Sequence, residues 1–161
     1  MIRFEPMSDD DFAAFLRKSI PEYAYDQTRS GNWTAHEAMG KARAEFQQML
    51  PNGPQTPNQH LRVMLDDRGH KVGMVWYFVN TQRERPTAFL IDFFFFPEER
   101  HKGYEAEAFA VFEAEARAHG VQRVELQVFS HKTDEVALYL NHGYTQTSVF
   151  FAKDLGEADK Q

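Results

Sequence analysis

The residues best equipped for chemistry lie in one stretch, Asp92-Phe-Phe-Phe-Phe-Pro97-Glu-Glu-Arg100-His-Lys-Gly103-Tyr-Glu105-Ala106. An apolar run ends at a proline, a loop with a glycine and the cations Arg100 and Lys102 follows, and a helical pattern begins. Free amides in the first turn of a helix, with cations beside them, suit an anion such as phosphate. The same residues also describe an ordinary solvated loop. Asp92 is a carboxylate alone among apolar residues, and burial would raise its pKa toward the range of a general base. A structural aspartate that hydrogen-bonds a neighbouring loop is the other reading. Glu98 and Glu99 fall on the solvated rim of the loop. Further along, Tyr139 sits with Val136 and Leu140 on the apolar side of a short helix, which by periodicity alone describes a core tyrosine.

Other chemistries find no support in the residue types. There is no cysteine, so a disulfide scaffold, a thiolate zinc site and a cysteine nucleophile are excluded, and no metal site is expected. His36-Glu37 lacks a second histidine at position 40, which is Gly40, so the zinc-protease helix fails. Ser130, His131 and Asp134 are too close in sequence to converge as a triad. Trp33, Trp76, Tyr23 and Tyr25 could line an acceptor pocket, but packing is the commoner role. Lys and Arg number 18 against 24 Asp and Glu, a formal charge of -6, which leaves no basic footprint for nucleic acid or an acidic membrane. The most apolar run, residues 88–96, carries Asp92 and is less than half the ~20 residues of a membrane helix. With no apolar leader at the start, a cytoplasmic location is expected.

These residues need a scaffold, and the hydrophobic periods supply one. Ile2 and Phe4 alternate with charges as a first strand. Ser8 and Asp11 have capping-box spacing and open a helix over 9–28, in which Pro21 is a point of splitting or kinking. Thr34 and Glu37 cap a second helix to about residue 50, and Pro51-Asn-Gly-Pro54 ends it. Strand patterns follow: one around Leu61, Val63 and Leu65, a hairpin turn at Asp66-Asp-Arg-Gly69, then 72–79 and 88–96, apolar on both faces as central strands are. A helix is expected over 103–119, a strand over 124–129, a short helix over 133–142 and a last strand over 144–153. The order is β-α-α-β-β-β-α-β-α-β: an α/β (α+β) fold in one domain, residues 1–155, with a polar tail at 156–161. Strands 88–96 and 124–129 flank one helix and should be adjacent and parallel through a right-handed crossover.

This order and these residues resemble the GCN5-related N-acetyltransferases, the GNAT family. Phe95-Phe96-Pro97 and Arg100-x-x-Gly103 match the family's acetyl-CoA loop, with Glu105 where Gly or Ala is usual. Leu138, Tyr139, Gly143 and Tyr144 match its second signature, whereas Lys132 and Glu135 depart from it. The likeness covers residues 60–155 well. The amino-terminal part is similar to a subgroup carrying Gly31-Asn-Trp33 and Leu50-Pro-Asn-Gly-Pro-Gln-Thr56-Pro57.

The resemblance implies a mixed, splayed sheet flanked by helices, with acetyl-CoA as co-substrate and acetyl transfer by direct attack of an amine. The acceptor would be a small molecule or peptide. It places pyrophosphate on the amides of His101, Lys102, Gly103, Tyr104, Glu105 and Ala106, beside Arg100. Pantetheine would pair with the backbone of Phe93, Phe94 and Phe95, and Lys132 would reach a phosphate. Tyr139 takes the position of the acid toward the departing thiolate. The family's carboxylate register falls on Gln127, which cannot be a base, so Asp92 is the candidate. Glu105, with Lys132 and Glu135, keeps a second reading open: a GNAT fold whose degraded CoA site makes it a binding module or a user of another donor. Expected partners are a small-molecule amine, with no nucleic acid or membrane, and a homodimer is admissible.

Overall fold

The computed structural model describes residues 1–158, so the last three residues of the expected tail lie outside the described residues. The chain runs β1 (Arg3–Pro6), α1 (Asp9–Arg29), α2 (Ala35–Met49), β2 (Gln59–Leu65), β3 (Lys71–Asn80), β4 (Thr87–Phe95), α3 (Glu105–Ala118), β5 (Arg123–Glu125) and α4 (Thr133–Asn141). Two single 3₁₀ turns, Gly53–Gln55 and Pro97–Glu99, interrupt the loops. The strands form one mixed sheet in sequence order, antiparallel from β1 to β4 and parallel between β4 and β5. The expected parallel pair is therefore present, with α3 as its crossover.

Alternation along β3 divides the core. Val75, Tyr77 and Val79 face α3 and α4 with Leu90, Phe93, Phe109 and Phe112. Met74 and Trp76 face α1 and α2 with Phe15, Phe46 and Leu61. Both capping boxes form, at Ser8 with Asp11 and at Thr34 with Glu37. Helix α1 runs through Pro21 without splitting. Packing of its buried face on the sheet and on α2 outweighs the loss of one internal hydrogen bond. Tyr23, Trp33 and Trp76 are packing residues: Tyr23 meets Trp33 edge-on at 5.5 Å, and the Trp76 indole donates to Gln59 at 2.7 Å. Among the described residues, no helix is long and apolar enough to cross a membrane.

Two expected strands are corrected. The strand over 124–129 is paired only at Arg123–Glu125, because β4 and β5 diverge after Phe89 meets Glu125. The strand over 144–153 does not form. Its residues make no ladder with any neighbour, and Val149, Phe150 and Phe151 stand 58%, 90% and 88% exposed. Strand-type residues become a strand only when another edge satisfies their backbone groups, and here none is in place.

Candidate active site

A bulge decides where Asp92 points. In the β3–β4 ladder Trp76 faces Asp92 but Tyr77 faces Leu90, so Ile91 is the extra residue on β4. In a regular strand Leu90 and Asp92 would share a face; one inserted residue sends them to opposite faces. Leu90 enters the α3 side of the core, and Asp92 turns toward α1, where the Ser19 hydroxyl donates to its carboxylate at 3.0 Å. Burial pushes the Asp92 carboxyl up to about 6. The Lys18 charge and the Ser19 hydrogen bond oppose that rise, while Glu22 and Glu135 add to it. Lys18 lies over the Phe94 ring, 3.4 Å from its centroid, and pairs with Glu22 at 2.8 Å. Ser19 lies on the buried stripe of α1 with Asp11, Phe15 and Asp26.

Beyond the β4–β5 pairing the two strands splay, so residues 90–95 of β4 present an unpaired edge toward β5. The side chains of Phe93 and Phe95 are core, Phe93 stacking on Phe109 at 4.4 Å, so only their backbone faces the gap. Phe94 packs on the other face, against Phe15. Gly73 on β3 holds this end of β4 close: a Cβ there would come within 2.3 Å of the Phe94 carbonyl oxygen. The loop after β4 then reverses through positive φ at His101 (65°) and Gly103 (82°). The first backbone hydrogen bond of α3 is donated by Ala108 to the Tyr104 carbonyl. Amides 101–107 make no hydrogen bond among the described residues and lie at the positive end of the helix. Space for a Cβ at Gly103 is open.

The charges around this loop are partly committed. Lys102 pairs with Glu99 at 2.9 Å, and Arg100 donates to the Phe95 carbonyl at 3.4 Å. Glu105 forms no ion pair among the described residues, whereas Glu107 folds back to accept the Ile2 amide at 2.8 Å. Lys132, expected at a phosphate, instead faces α1. Its ammonium lies 2.9 Å from Glu22, 3.0 Å from Asp26 and 3.3 Å from Glu135. Burial lowers the Lys132 pKa, but these carboxylates outweigh it and the net shift is upward. His131 joins the same clamp through Asp26 at 2.8 Å. A cation bound by three carboxylates is a tie between α4 and α1, not a free anion ligand.

The clamp sets α4 so that Tyr139 is buried between Phe109 and Tyr144, edge-on to both at 5.8 and 5.6 Å. Burial raises its phenol pKa, and the charges of Glu135, Asp92 and Tyr144 raise it further. The Asp92 charge thus acts on Tyr139 although the carboxylate itself turns toward α1.

Residues 21–144, which include both stretches described above, match the family model "Acetyltransferase (GNAT) family". The chain belongs to the GNAT family. This GNAT chain is 30% identical over 151 residues to the uncharacterized N-acetyltransferase YdgE of Bacillus subtilis, covering 94% of the chain and 96% of that protein. The crystal structure of YycN from Bacillus subtilis superposes with a TM-score of 0.92 at 29% identity, covering 98% of this chain and all of that one. At 14% identity the likeness shows fold alone for AAC(6')-Iy, whose structure holds a CoA bisubstrate analogue; the TM-score is 0.57, covering 96% and 99% of the two chains.

Several residues around Asp92 and Lys132 escape sequence reasoning. Ser19, Lys18 and Glu22 come from α1, far from either motif. A signal existed for the first: Ser19 and Asp26 interrupt the stripe that Asp11 and Phe15 begin, and polar residues on a buried stripe need partners. No signal in the sequence marked Ile91 as a bulge, since its place follows from the β3 register. Chemically, the arrangement offers free amides for an anion, a strand edge for an amide-bearing chain, a buried carboxyl pushed up to about 6 and a protonated phenol.

Proposed function

We propose that the chain transfers an acetyl group from acetyl-CoA to the amine of a small molecule by direct attack. The observation that carries this reading is the continuity between the unpaired β4 edge at 90–95 and the free amides at 101–107. An amide-bearing pantetheine pairs with the first as an added strand, and a pyrophosphate is held by the second. Phe93, Phe94 and Phe95 contribute backbone only, Arg100 adds charge, and Gly103 leaves the approach open. Acetyl-CoA supplies the acetyl group as an activated thioester.

Asp92 removes the amine proton, directly or through a water. With its carboxyl near 6 it is largely ionised at neutral pH yet basic enough to accept a proton. Tyr139 donates a proton to the thiolate. Burial and the nearby carboxylates keep it protonated throughout the neutral range, which a donor requires. The bulge at Ile91 and the Lys132 clamp orient the two from opposite sides of the splay. An amine is attracted as a cation by Glu22, Glu135 and Asp92, and loses its proton at the last of these. A location in the cytoplasm, where acetyl-CoA is made and used, fits this chemistry.

The test is calorimetric titration with acetyl-CoA, followed by thiol release with a panel of primary amines that includes aminoglycosides. Saturable binding, and thiol release that depends on an amine and rises with pH through a half-maximal point near 6, are expected. Absence of acetyl-CoA binding would favour the degraded-site reading, with Glu105 blocking the anion.

A further inference from the structure

Helix α1 lies against β4 in a register that pairs their side chains. Phe15 stacks on Phe94 with ring centroids 6.4 Å apart, and one helical turn later the Ser19 hydroxyl meets the Asp92 carboxylate at 3.0 Å. Four residues of helix advance ~6 Å and two residues of strand ~6.6 Å, so the two contacts belong to one antiparallel alignment. Phe15 also meets Trp76 edge-on at 5.9 Å, and Trp76 is the residue opposite Asp92 in the β3–β4 ladder. The packing of its own helix therefore holds the Ser19 hydroxyl over Asp92.

Ser19 is only 4% exposed, beside a layer of apolar side chains. A buried hydroxyl needs a partner, and a serine inside a helix ordinarily finds one in the carbonyl four residues before it. Thr28 of the same helix does so, donating to the Ala24 carbonyl at 3.0 Å. Ser19 instead donates across 73 residues of sequence to Asp92. Alanine would fill the same space, so packing does not account for the hydroxyl.

The other groups that face Asp92 act on its charge without fixing its direction. From α1, Lys18 attracts it while anchored on Glu22 at 2.8 Å and over the Phe94 ring at 3.4 Å, and Glu22 repels it. From α4, Glu135 repels it and the Tyr139 phenol feels its charge. From β3, Trp76 brings no charge. Lys132 partly neutralises Glu22 and Glu135, at 2.9 and 3.3 Å. Coulomb attraction acts from any direction, whereas a hydrogen bond weakens steeply off its axis. Among the described residues, Ser19 alone hydrogen-bonds the Asp92 carboxylate.

We propose that Ser19 is a positioning residue for acetyl transfer: its hydroxyl holds the Asp92 carboxylate in the ionised form and the orientation that accept the amine proton. This role rests on the assignment of Asp92 as the base. With one carboxylate oxygen bound to Ser19, the other keeps its lone pairs for the amine or for a water between them. A hydrogen bond to an ionised acceptor is stronger than one to the neutral acid, by roughly the equivalent of one pH unit in the midpoint.

The test compares Ser19→Ala with the parent in two ways. The carbon-13 resonance of the Asp92 carboxyl, titrated without acetyl-CoA, should show its midpoint raised by about one pH unit in S19A. Thiol release from acetyl-CoA, with the fastest amine of the panel, should show the same rise in its half-maximal pH. At the high-pH plateau, where Asp92 is ionised in both proteins, kcat should fall by ~10-fold with the KM for acetyl-CoA unchanged, because orientation is lost. A merely structural serine would lower stability and leave both midpoints in place. Transfer by the parent with unmoved midpoints in S19A overturns the role of Ser19 alone. So does a midpoint that falls, as water entering the space left by the hydroxyl would make it. A parent that transfers acetyl to no amine of the panel refutes the reaction, and this role with it, even where the carboxyl midpoint moves.

Discussion

Replacing Asp92 by asparagine should stabilise the protein while removing its turnover. Burial raises the Asp92 carboxyl from 3.8 to about 6. The folded chain therefore holds the proton more tightly than the unfolded chain. Stability contributed at this position is present below pH 4 and declines as pH rises to 6, after which the folded protein carries a charge it disfavours. A shift of about two pH units corresponds to ~3 kcal/mol. Partial access to water and the Lys18 attraction reduce what the substitution recovers, so ~1–3 kcal/mol is expected at pH 8. The amide oxygen of the introduced asparagine would still accept the Ser19 hydroxyl, and Lys18 keeps Glu22 and the Phe94 ring. For a chain of this size that gain is a rise in Tm of roughly 3–10 °C. Scanning calorimetry of both proteins from pH 4 to pH 8 is the assay, with thiol release from acetyl-CoA measured alongside. The difference in Tm should vanish near pH 4 and open between pH 4 and 6, and turnover should drop by ~10²-fold or more. If the two Tm curves run parallel across the range, Asp92 titrates as a solvated carboxylate and its role as base is refuted.

Tyr139→Phe should lower turnover by ~10²–10⁴-fold with acetyl-CoA affinity little changed, since one hydroxyl is deleted and the packing against Phe109 and Tyr144 is kept. Unchanged turnover would leave Tyr139 a packing residue. Glu105→Gln should tighten acetyl-CoA binding several-fold at low salt, with the gain shrinking as salt rises, because a charge beside the free amides of α3 is removed; calorimetry at two salt concentrations checks it, and equal affinities would show that Glu105 points away from the phosphates. Lys132→Met should cost about 3 kcal/mol or more in urea denaturation, since Glu22 and buried Asp26 lose their shared cation. A loss well under ~1 kcal/mol would mean the clamp contributes little to holding α4 on α1.

Local pattern was enough to place most of the elements. Periodicity and capping residues located α1 to α4 and β1 to β4 within a few residues, because such signals depend on neighbours in sequence: Ser8 caps through Asp11, Gly120 follows α3, and apolar positions recur at fixed intervals. The loop between β4 and α3 was equally legible, since a strand, a glycine and a helix start lie within fifteen residues. Asp92 drew notice as a carboxylate in an apolar run. Which way it faces was decided by a bulge at Ile91 that exists only in the β3–β4 register. The partner set of Lys132 was beyond reach for the same reason: its distance from Glu22 is 110 residues in sequence and 2.9 Å in space. Residues 144–153 show the limit most plainly. Their side chains specify a strand, but a strand also needs an edge to pair with, and the pairing partner is a property of the assembled sheet rather than of the segment.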